Sequence, residues 1–386
     1  MKAVVIILGF MLCAVPALGD GVSICYWGAW ANYRPELGAY GVSDLPADLC
    51  THLVYSFIGL DGEGNLTLAE EIDVGGKSSY IKDFIKLRET YPKLKLIVAV
   101  GGYNEGSADF SKVCNNDTLR AYFVSNLVQF VEESGFDGLD LDWEYPGQRE
   151  GSQESDKQAF VDLVRDLKEQ LGPKGLELMA AVPITQWAVG IGYDVANISK
   201  HLDYISLMTY DMHGTWENVT GSNAPLYGQL TDPAGDVLNV QAGLNVWLTN
   251  GAPASKLVLG LPSYGKSFTL ASLEHAGTGA AHAGGGAPGP YTGETGTLAY
   301  YEICLAQQQS SWNVTVVKDN YAFASSGLQW VGYDDPSITF AKGRFAKQNK
   351  LAGVMYWATD LDDFAGYCSR VTYPIIKAGI KGFNSL

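Results

Sequence analysis

Short apolar runs recur along the chain, and longer amphipathic stretches separate them. The runs are rich in β-branched and aromatic residues, which favour strands. They cover Val22–Tyr26, Leu53–Phe57, Leu96–Val100, Gly138–Trp143, Leu176–Val182, Tyr204–Thr209, Leu257–Leu261 and Gly353–Trp357. Eight strand-then-helix units in a chain of 386 residues predict an α/β fold, a (β/α)8 TIM barrel. The active site of such a barrel lies at the carboxyl ends of its strands.

Two of the stretches between the strands carry apolar residues at helical spacing. The first stripe consists of Leu119, Phe123, Leu127 and Phe130, and the second of Phe160, Leu163, Val164, Leu167 and Leu171. We interpret both stripes as helix faces that pack against the barrel.

The stretch between the seventh and eighth predicted strands is too long for one helix. Glycine and proline interrupt it from Gly277 to Gly296. Aromatic residues accumulate here, namely Tyr291, Tyr300, Tyr301, Trp312 and Trp330. We therefore expect residues 263–332 to form an inserted α+β subdomain beside the cleft, while residues 20–262 and 333–386 form the barrel.

The first residues have the pattern of a secretory signal peptide. Met1 and Lys2 precede an apolar run to about Val15, and small residues follow before Asp20. This pattern predicts a signal peptide over residues 1–19 and export of the mature chain. The apolar run is too short to span a bilayer, and no later segment has the roughly 18 apolar residues that a membrane helix needs.

Five of the six cysteines follow the signal peptide, so an odd number reaches the oxidising compartment where disulfides persist. We expect the pairs Cys25–Cys50 and Cys304–Cys368, with Cys114 free, although the sequence leaves other pairings open. Acceptor triplets for N-glycosylation begin at Asn65, Asn116, Asn197, Asn218 and Asn313.

The chain carries a formal net charge of −16 at pH 7. Nucleic acids and anionic membranes require clustered lysine and arginine, so neither is an expected partner. The charge fits a neutral or cationic substrate. The 22 tyrosines and 9 tryptophans supply flat rings of the kind that pack against sugar faces, although many belong to the core.

Three acidic residues occupy alternate positions in and after the fourth predicted strand. Asp140, Asp142 and Glu144 stand among apolar residues. Side chains alternate faces along a strand, so the three carboxylates share one face at intervals of about 7 Å. Repulsion and desolvation predict that at least one carboxyl has a pKa well above its usual range. A protonated acid beside ionised ones is typical of glycosidases.

Two other interpretations of these acids are a solvated acidic strand and a metal site built from carboxylates. The opposite face is apolar, with Phe136, Leu139, Leu141 and Trp143, which disfavours a solvated strand. Few histidines are available to complete a transition-metal shell, so we expect no metal and no cofactor. Asp137 has the opposite parity, and we expect it to accept from backbone donors at the start of the strand.

Several short motifs carry a resemblance that covers essentially the whole mature chain. The most specific is Asp137-Gly138-Leu139-Asp140-Leu141-Asp142-Trp143-Glu144. The others are Cys25-Tyr26, Trp30-Ala31-Asn32-Tyr33-Arg34, Gly101-Gly102, Met208-Thr209-Tyr210-Asp211, Ser263-Tyr264-Gly265, and Trp357 followed by Asp362-Asp363-Phe364. In these motifs the chain resembles the secreted chitinases of glycoside hydrolase family 18, of the animal and especially the arthropod type.

The resemblance implies an endo-acting enzyme that hydrolyses β-1,4 bonds between N-acetylglucosamine units of chitin and chitooligosaccharides. We expect this enzyme to be a monomer. Catalysis in this family is retaining and substrate-assisted, an exception to the two-carboxylate scheme. Glu144 is then the acid that protonates the leaving oxygen and the base that activates water. Asp142 orients the acetamido group and shares a proton with Asp140, while Tyr210 donates to the acetamido oxygen.

The resemblance also implies a substrate-binding set. Asp211 binds the sugar beside the acetamido group, and the ring of Trp357 forms the floor of the subsite. The full set is Tyr26, Trp30, Phe57, Gly101, Gly102, Tyr103, Asn104, Tyr145, Met208, Asp211, Trp216, Tyr264, Lys266 and Trp357. We expect no C-terminal chitin-binding domain, because no Pro/Ser/Thr linker or Cys-rich module follows the barrel.

Two positions depart from the pattern of the family. Tyr103 stands where the Gly-Gly-aromatic motif usually carries tryptophan, and Lys266 stands where arginine commonly follows the Tyr-Gly pair. A smaller ring and a point charge in place of a planar guanidinium are expected to change affinity and product pattern. Trp216 is expected to act as a second platform on the leaving-group side.

Two alternative functions are compatible with the same fold. A chitin-binding lectin or growth-factor-like protein without activity is expected to lack the acid, whereas Glu144 is present here. An endoglycosidase that cuts the chitobiose core of N-glycans would use the same site. The aromatic members of the expected binding set favour a long linear chain over a branched glycan.

Overall fold

The computed structural model describes residues 21–68, 80–228 and 237–385, and the expected signal peptide lies outside the described residues. The strands are β1 (Val22–Gly28), β2 (His52–Leu60), β3 (Leu66–Thr67), β4 (Lys95–Gly101), β5 (Gly138–Asp142), β6 (Glu177–Val182), β7 (Tyr204–Leu207), β8 (Leu257–Pro262), β9 (Tyr264–Leu270), β10 (His282–Gly285), β11 (Thr297–Ala299), β12 (Asn313–Val317), β13 (Tyr321–Ser326), β14 (Gln329–Tyr333) and β15 (Gly353–Trp357). The α-helices are α1 (Tyr80–Thr90), α2 (Ala108–Cys114), α3 (Asp117–Ser134), α4 (Asp156–Leu171), α5 (Gln186–Gly192), α6 (Val195–His201), α7 (Val240–Thr249), α8 (Tyr300–Gln309), α9 (Pro336–Gln348) and α10 (Pro374–Phe383).

Eight parallel strands form a closed barrel. They follow the order β1, β15, β8, β7, β6, β5, β4 and β2, and a pairing of β1 with β2 closes the ring. Each predicted apolar run overlaps one of these strands, so the predicted TIM barrel is confirmed. Because the strands are parallel, their carboxyl ends meet at one rim, where functional residues collect in this fold.

Alternating side chains divide the barrel into an interior and an outer layer. Ile24 and Tyr26 of β1 belong to the interior cluster. Cys25 and Trp27 belong to the cluster between the barrel and its helices. The apolar stripes of α3 and α4 lie in the same outer cluster, as predicted from their spacing.

The strand β5 has the same alternation, but its interior side is acidic. Leu139 and Leu141 lie in the outer cluster, and Asp140 and Asp142 are buried on the interior parity. At the start of the strand, Asp137 accepts hydrogen bonds of 2.9 Å from the backbone N–H of Leu96 and from the Arg88 guanidinium. This arrangement is the one expected for Asp137.

Two barrel strands end earlier than predicted. β5 ends at Asp142, where Trp143 keeps the outward parity of Leu139 and Leu141 and stacks on Phe110 with 5.3 Å between ring centroids. Glu144 therefore follows the strand and does not close it. β7 ends at Leu207, because the Thr209 side chain donates to the carbonyl of Gly260 at 2.6 Å.

A second sheet lies between the last two barrel strands in the chain. Its strands follow the order β10, β9, β14, β13 and β12, and β11 pairs with β9. The helix α8 follows β11 and packs beside this sheet. Ser263 joins the sheet to the barrel, since its N–H donates to Trp357 O and its carbonyl accepts from Tyr300. We propose that residues 263–332 form a subdomain of their own.

Two disulfides tie loops to the barrel. Cys25 pairs with Cys50, and Cys304 of α8 pairs with Cys368 of the segment after β15. Cys114 is free and buried at the end of α2. None of the described helices combines the length and the apolar content needed to cross a membrane.

Candidate active site

Three buried carboxyl groups meet at the carboxyl end of β5. Asp140 is 0%, Asp142 3% and Glu144 8% exposed to solvent. The alternation of the strand directs both aspartates into the barrel, and Glu144 continues this parity beyond the strand end. Burial disfavours the ionised forms of these groups, so the three acids retain protons that exposed carboxyls release.

The two aspartates form a coupled pair inside the barrel. Tyr26 Oη donates to Asp140 Oδ2 at 2.5 Å, whereas Asp140 Oδ1 and Asp142 Oδ1 accept from no group among the described residues. Burial raises the pKa of Asp142 well above its usual range, and repulsion from Asp140 and Glu144 raises it further. Burial also raises the pKa of Asp140. The pair therefore titrates as a unit that holds a proton near neutral pH.

Glu144 lies at the mouth of the barrel, and its carboxyl group has a raised pKa. Burial raises the pKa of Glu144 to about 7. A hydrogen bond with Tyr145 and the nearby charge of Arg149 lower the pKa, and the charge of Asp211 raises it. A carboxyl with this pKa can both donate and accept a proton near neutral pH, as general acid–base catalysis requires.

Asp211 is held by two side chains from β9 across the rim. Tyr264 Oη donates to Asp211 Oδ1 at 2.6 Å, and Lys266 Nζ lies 2.9 Å from the same oxygen. Asp211 remains half exposed and has a positive φ of 55°. Lys266, one of the two residues that depart from the family pattern, therefore forms an ion pair with an expected sugar-binding carboxylate.

Asn223 fixes the backbone beneath this carboxylate. Its Oδ1 accepts from Asp211 N–H at 3.0 Å, and its Nδ2 donates to Tyr264 O at 3.1 Å. Its own carbonyl accepts from Met212 N–H at 3.1 Å. The side chain is fully buried. No local motif marked Asn223, because its partners lie 12 and 41 residues away in the chain.

Four aromatic rings form a continuous row beside the acids. Trp357 lies 5.7 Å from both Tyr26 and Phe57, measured between ring centroids. Phe57 in turn stacks against Trp30 at 6.1 Å with an interplanar angle of 21°. The structure thus brings together four aromatic residues that the sequence assigned to substrate binding, although they come from β1, β2, β15 and the turn after β1.

The Gly101-Gly102 pair allows the loop after β4 to pass close to the acid strand. Both residues have positive φ, 110° and 89°. A Cβ on Gly101 would lie 2.4 Å from Asp142 O, and a Cβ on Gly102 would lie 2.6 Å from the Phe57 ring. Gly102 N–H donates to Asp142 O at 2.8 Å. Larger residues at either position would therefore displace the acid strand or the aromatic row.

Arg149 holds Tyr103 against the backbone of Glu144. Its guanidinium lies 4.2 Å from the centre of the Tyr103 ring, and its Nη1 donates to the carbonyls of Tyr103 and Glu144. Tyr103 is 63% exposed, so its free face is open to a ligand. In the sequence, Arg149 is marked only by its position five residues after Glu144. That position does not predict its contact with Tyr103.

The remaining expected binding residues lie around this centre. Met208 packs on the interior cluster, and Asn104 lines a groove beside the aromatic row. Trp216 is 65% exposed and its ring lies over Gly214. Among the described residues, no ring contact joins Trp216 to the aromatic row, so its expected role as a platform stays a prediction.

One group of side chains in the described residues has the spacing of a metal site. A sulfur or oxygen atom from each of Cys304, Asp363 and Cys368 lies within 4.8 Å of the others. The two cysteines are bonded to each other, so neither offers a thiolate. Asp363 accepts from the backbone N–H groups of Tyr367 and Cys368. We therefore interpret this group as the anchor of a disulfide loop.

The five glycosylation triplets differ in the environment of their asparagine. Asn218 and Asn313 are exposed. Asn65 and Asn197 each use Nδ2 in a hydrogen bond to an aspartate close in the chain. Asn116 is exposed, and its Oδ1 caps α3 by accepting from two backbone N–H groups. Occupancy of all five stays a prediction, with Asn218 and Asn313 the least constrained.

Comparison with known proteins decides the family. The family model of the glycosyl hydrolases family 18 matches residues 22–362. The chain belongs to this family. This glycosidase is 41% identical to the Endochitinase of Manduca sexta over the whole chain and 72% of that protein. It is also 41% identical to Chitotriosidase-1 of Mus musculus, over 92% of the chain and 76% of the relative.

Solved structures of relatives share the fold. A Group IV chitinase of Ostrinia furnacalis in complex with allosamidin superposes with a TM-score of 0.91 and 38% identity, covering 95% of this chain and 99% of that one. Human YKL-39, described as a pseudo-chitinase with retained chitooligosaccharide binding properties, superposes with a TM-score of 0.86 and 32% identity, covering 94% and 99%. The fold alone therefore does not separate active from inactive relatives.

Proposed function

We propose that this glycosidase is a secreted, endo-acting chitinase. It hydrolyses β-1,4-linked N-acetylglucosamine polymers and oligomers by a retaining, substrate-assisted mechanism. The observation that carries this proposal is Glu144, a buried acid with a pKa near 7 at the mouth of the barrel. Two further carboxyls lie behind it, and a row of aromatic rings beside them offers faces for sugars.

The named relatives support the choice of substrate. The mouse and Manduca relatives carry the names chitotriosidase and endochitinase. A Group II chitinase domain of Ostrinia furnacalis has been solved with an N-acetylglucosamine oligomer, at a TM-score of 0.90 and 35% identity. Since this chain matches these proteins along nearly its whole length, a chitin chain is the substrate class that we assign to it.

In the first step, the substrate supplies its own nucleophile. The carbonyl oxygen of the acetamido group attacks the anomeric carbon, and the bond to the leaving oxygen breaks. Glu144 donates its proton to that oxygen. The acetamido group becomes a cyclic oxazolinium ion, whose N–H faces the Asp142 carboxylate, while Tyr210 donates to the acetamido oxygen. Placing a carboxylate where positive charge develops stabilises the transition state.

In the second step, water opens the oxazolinium ion. Glu144, now ionised, accepts a proton from the water as the water oxygen attacks the anomeric carbon. The bond to the acetamido oxygen breaks, and the acetamido group is restored. Both attacks occur at the same carbon from opposite faces, so the product retains the β configuration. The shared proton of Asp140 and Asp142 allows the charge on Asp142 to change between the steps.

The alternative is an inactive chitin-binding protein of the same fold, for which YKL-39 is the precedent among the relatives. Without a proton donor at the leaving oxygen, such a protein binds but does not cleave. Glu144 argues against this alternative here, because it has both the position and the raised pKa of a general acid.

The experiment that tests the proposal is proton NMR of fresh products from N-acetylglucosamine oligomers. The β anomer should dominate at new reducing ends before mutarotation equilibrates the sample. An early excess of the α anomer would contradict the retaining mechanism. Binding of the oligomers without cleavage would instead favour the inactive alternative.

Export of the mature chain is also part of this proposal. The predicted signal peptide and the two disulfides both fit an oxidising, extracellular environment. A monomer without nucleic-acid or membrane partners is compatible with the net charge of −16. Mass spectrometry of protein from the culture medium should find a mature N-terminus at Asp20.

Substitution of Asn223 by alanine should weaken substrate binding more than turnover. The change removes the acceptor for Asp211 N–H and the donor to Tyr264 O, and leaves the Asp211 N–H group without this partner. Loss of these two hydrogen bonds corresponds to roughly a 10- to 30-fold rise in KM, with kcat changed much less. Steady-state kinetics on chitooligosaccharides would measure both values.

Asn349→Ala is the matched control for that experiment. Asn349 is a half-buried asparagine at the end of α9, where its Nδ2 donates to Phe345 O at 2.8 Å, and it precedes β15 at the opposite end of the barrel. This control should lower thermal stability without a change in KM. If Asn223→Ala behaved in the same way, Asn223 would have no positioning role.

A further inference from the structure

A groove of about 310 Å³ continues the cleft beside the aromatic row. Its lining includes Trp30, Phe57, Thr67, Leu68 and Glu105. The groove therefore combines flat rings with a carboxylate. The carboxylate was not among the binding residues expected from the sequence, and the proposed mechanism does not use it.

Glu105 belongs to the loop that carries the glycine pair. Its N–H donates to Gly102 O at 3.1 Å, so a turn connects it to the backbone that contacts the acid strand. A Cβ on Gly59 would lie 2.5 Å from Glu105 Oε2 and equally close to Thr67 Oγ1. The glycine at position 59 thus leaves the space that the carboxylate occupies in the groove.

The carboxylate of Glu105 is half buried, and no cation among the described residues is paired with it. Burial raises its pKa, a hydrogen bond from the backbone of Leu60 lowers it, and the charge of Asp109 raises it again. No lysine or arginine of the described residues contributes to this balance. A desolvated anion beside a second anion gains most from a ligand that brings positive charge.

We propose that this groove binds a glucosamine unit, so that the enzyme prefers partially N-deacetylated chitin over the fully acetylated polymer. This inference rests on the proposed chitinase function. The protonated 2-amino group of such a unit donates charge-assisted hydrogen bonds to Glu105, while Trp30 or Phe57 packs on its ring face. The net charge of −16 attracts a cationic polymer and so favours the same substrate.

The test compares Glu105→Gln with the wild type on two substrates of equal length. One is a fully acetylated N-acetylglucosamine oligomer, and the other is a partially deacetylated oligomer at a pH where its amines are protonated. The substitution should raise KM for the deacetylated oligomer about 3- to 10-fold, as expected for a partly exposed charged hydrogen bond. Values of kcat, and KM for the acetylated oligomer, should stay within about 2-fold of the wild type.

Glu169→Gln on the exposed surface of α4 is the control, because it makes the same change in net charge away from the groove. It should leave all constants unchanged. A second readout is salt, since added NaCl should raise KM for the deacetylated oligomer more steeply in the wild type than in Glu105→Gln.

Two results would overturn the inference, and they are distinguishable. If Glu105→Gln changed KM equally for both oligomers, or for neither, the carboxylate would not select the amine while the chitinase function stood. If the wild type cleaved neither oligomer, the proposed function would fail, and this inference with it. Unchanged kinetics on the acetylated oligomer also establish that the variant is folded.

Discussion

Glu144→Gln is expected to reduce turnover of chitooligosaccharides by at least two to four orders of magnitude, the usual contribution of general acid catalysis. The amide has nearly the shape of the carboxyl group, but it cannot transfer a proton to the leaving oxygen. The raised pKa that burial produces at Glu144 is the property that this change removes. Initial rates of oligomer cleavage would measure the loss.

Measuring chitin binding by Glu144→Gln distinguishes loss of the acid from misfolding of the variant. The aromatic row and Asp211 are unchanged in Glu144→Gln, so affinity for chitin should persist in a pull-down or by calorimetry. The far-ultraviolet circular dichroism spectrum should match that of the wild type. Substantial turnover by a pure preparation would show that another group protonates the leaving oxygen.

Asp142→Asn should lose roughly 100-fold or more of kcat, the cost of removing one preorganised charge from an active site. In the proposed mechanism, Asp142 faces the N–H of the oxazolinium ion as positive charge develops. The asparagine cannot supply a compensating negative charge, although it can keep the contact with the Ala181 backbone that the carboxylate makes.

The pH profile should shift in the same variant. Glu144 must be protonated to act as the acid, so kcat/KM falls as pH rises through its pKa of about 7. Asp142 and Glu144 repel each other when both are ionised. Removing this repulsion lowers the pKa of Glu144, and the alkaline limb of the profile should move to lower pH. An unaltered profile would contradict the coupling of these carboxyls.

Thermal stability provides the control for Asp142→Asn. Because burial raises the pKa of Asp142, the folded state binds a proton that the unfolded chain releases. The favourable contribution of this group is present at low pH and disappears as pH rises through its folded pKa. An uncharged asparagine escapes this loss, so the melting temperature above neutral pH should not fall.

The two departures from the family pattern have different structural consequences. Tyr103 has less ring area than tryptophan, but Arg149 packs on one of its faces and so orders it. Lys266 provides a point charge that pairs with Asp211 Oδ1, and Tyr264 Oη donates to the same oxygen. Both positions keep a defined geometry, and their effects should therefore appear in affinity and product pattern rather than in the acid chemistry.

The sequence by itself determined the barrel and the acid cluster, because both depend on local periodicity. Short apolar runs predict the strands. The two-residue period of a strand places Asp140, Asp142 and Glu144 on one face. Apolar Leu139 and Leu141 at the intervening positions indicate which face packs outward. The prediction placed the strand end one residue late, because the packing of Trp143 on Phe110 comes from a distant helix.

Only the tertiary structure decided what surrounds the acids. Asn223 reaches Asp211 from 12 residues further along the loop after β7, and Arg149 reaches Tyr103 across 46 residues of chain. Glu105 enters its groove because Gly59 of another strand leaves the space. The separations of these residues along the chain follow neither the helical nor the strand period. No local sequence pattern therefore predicts the contacts. They arise when parallel strands bring their carboxyl ends to one rim.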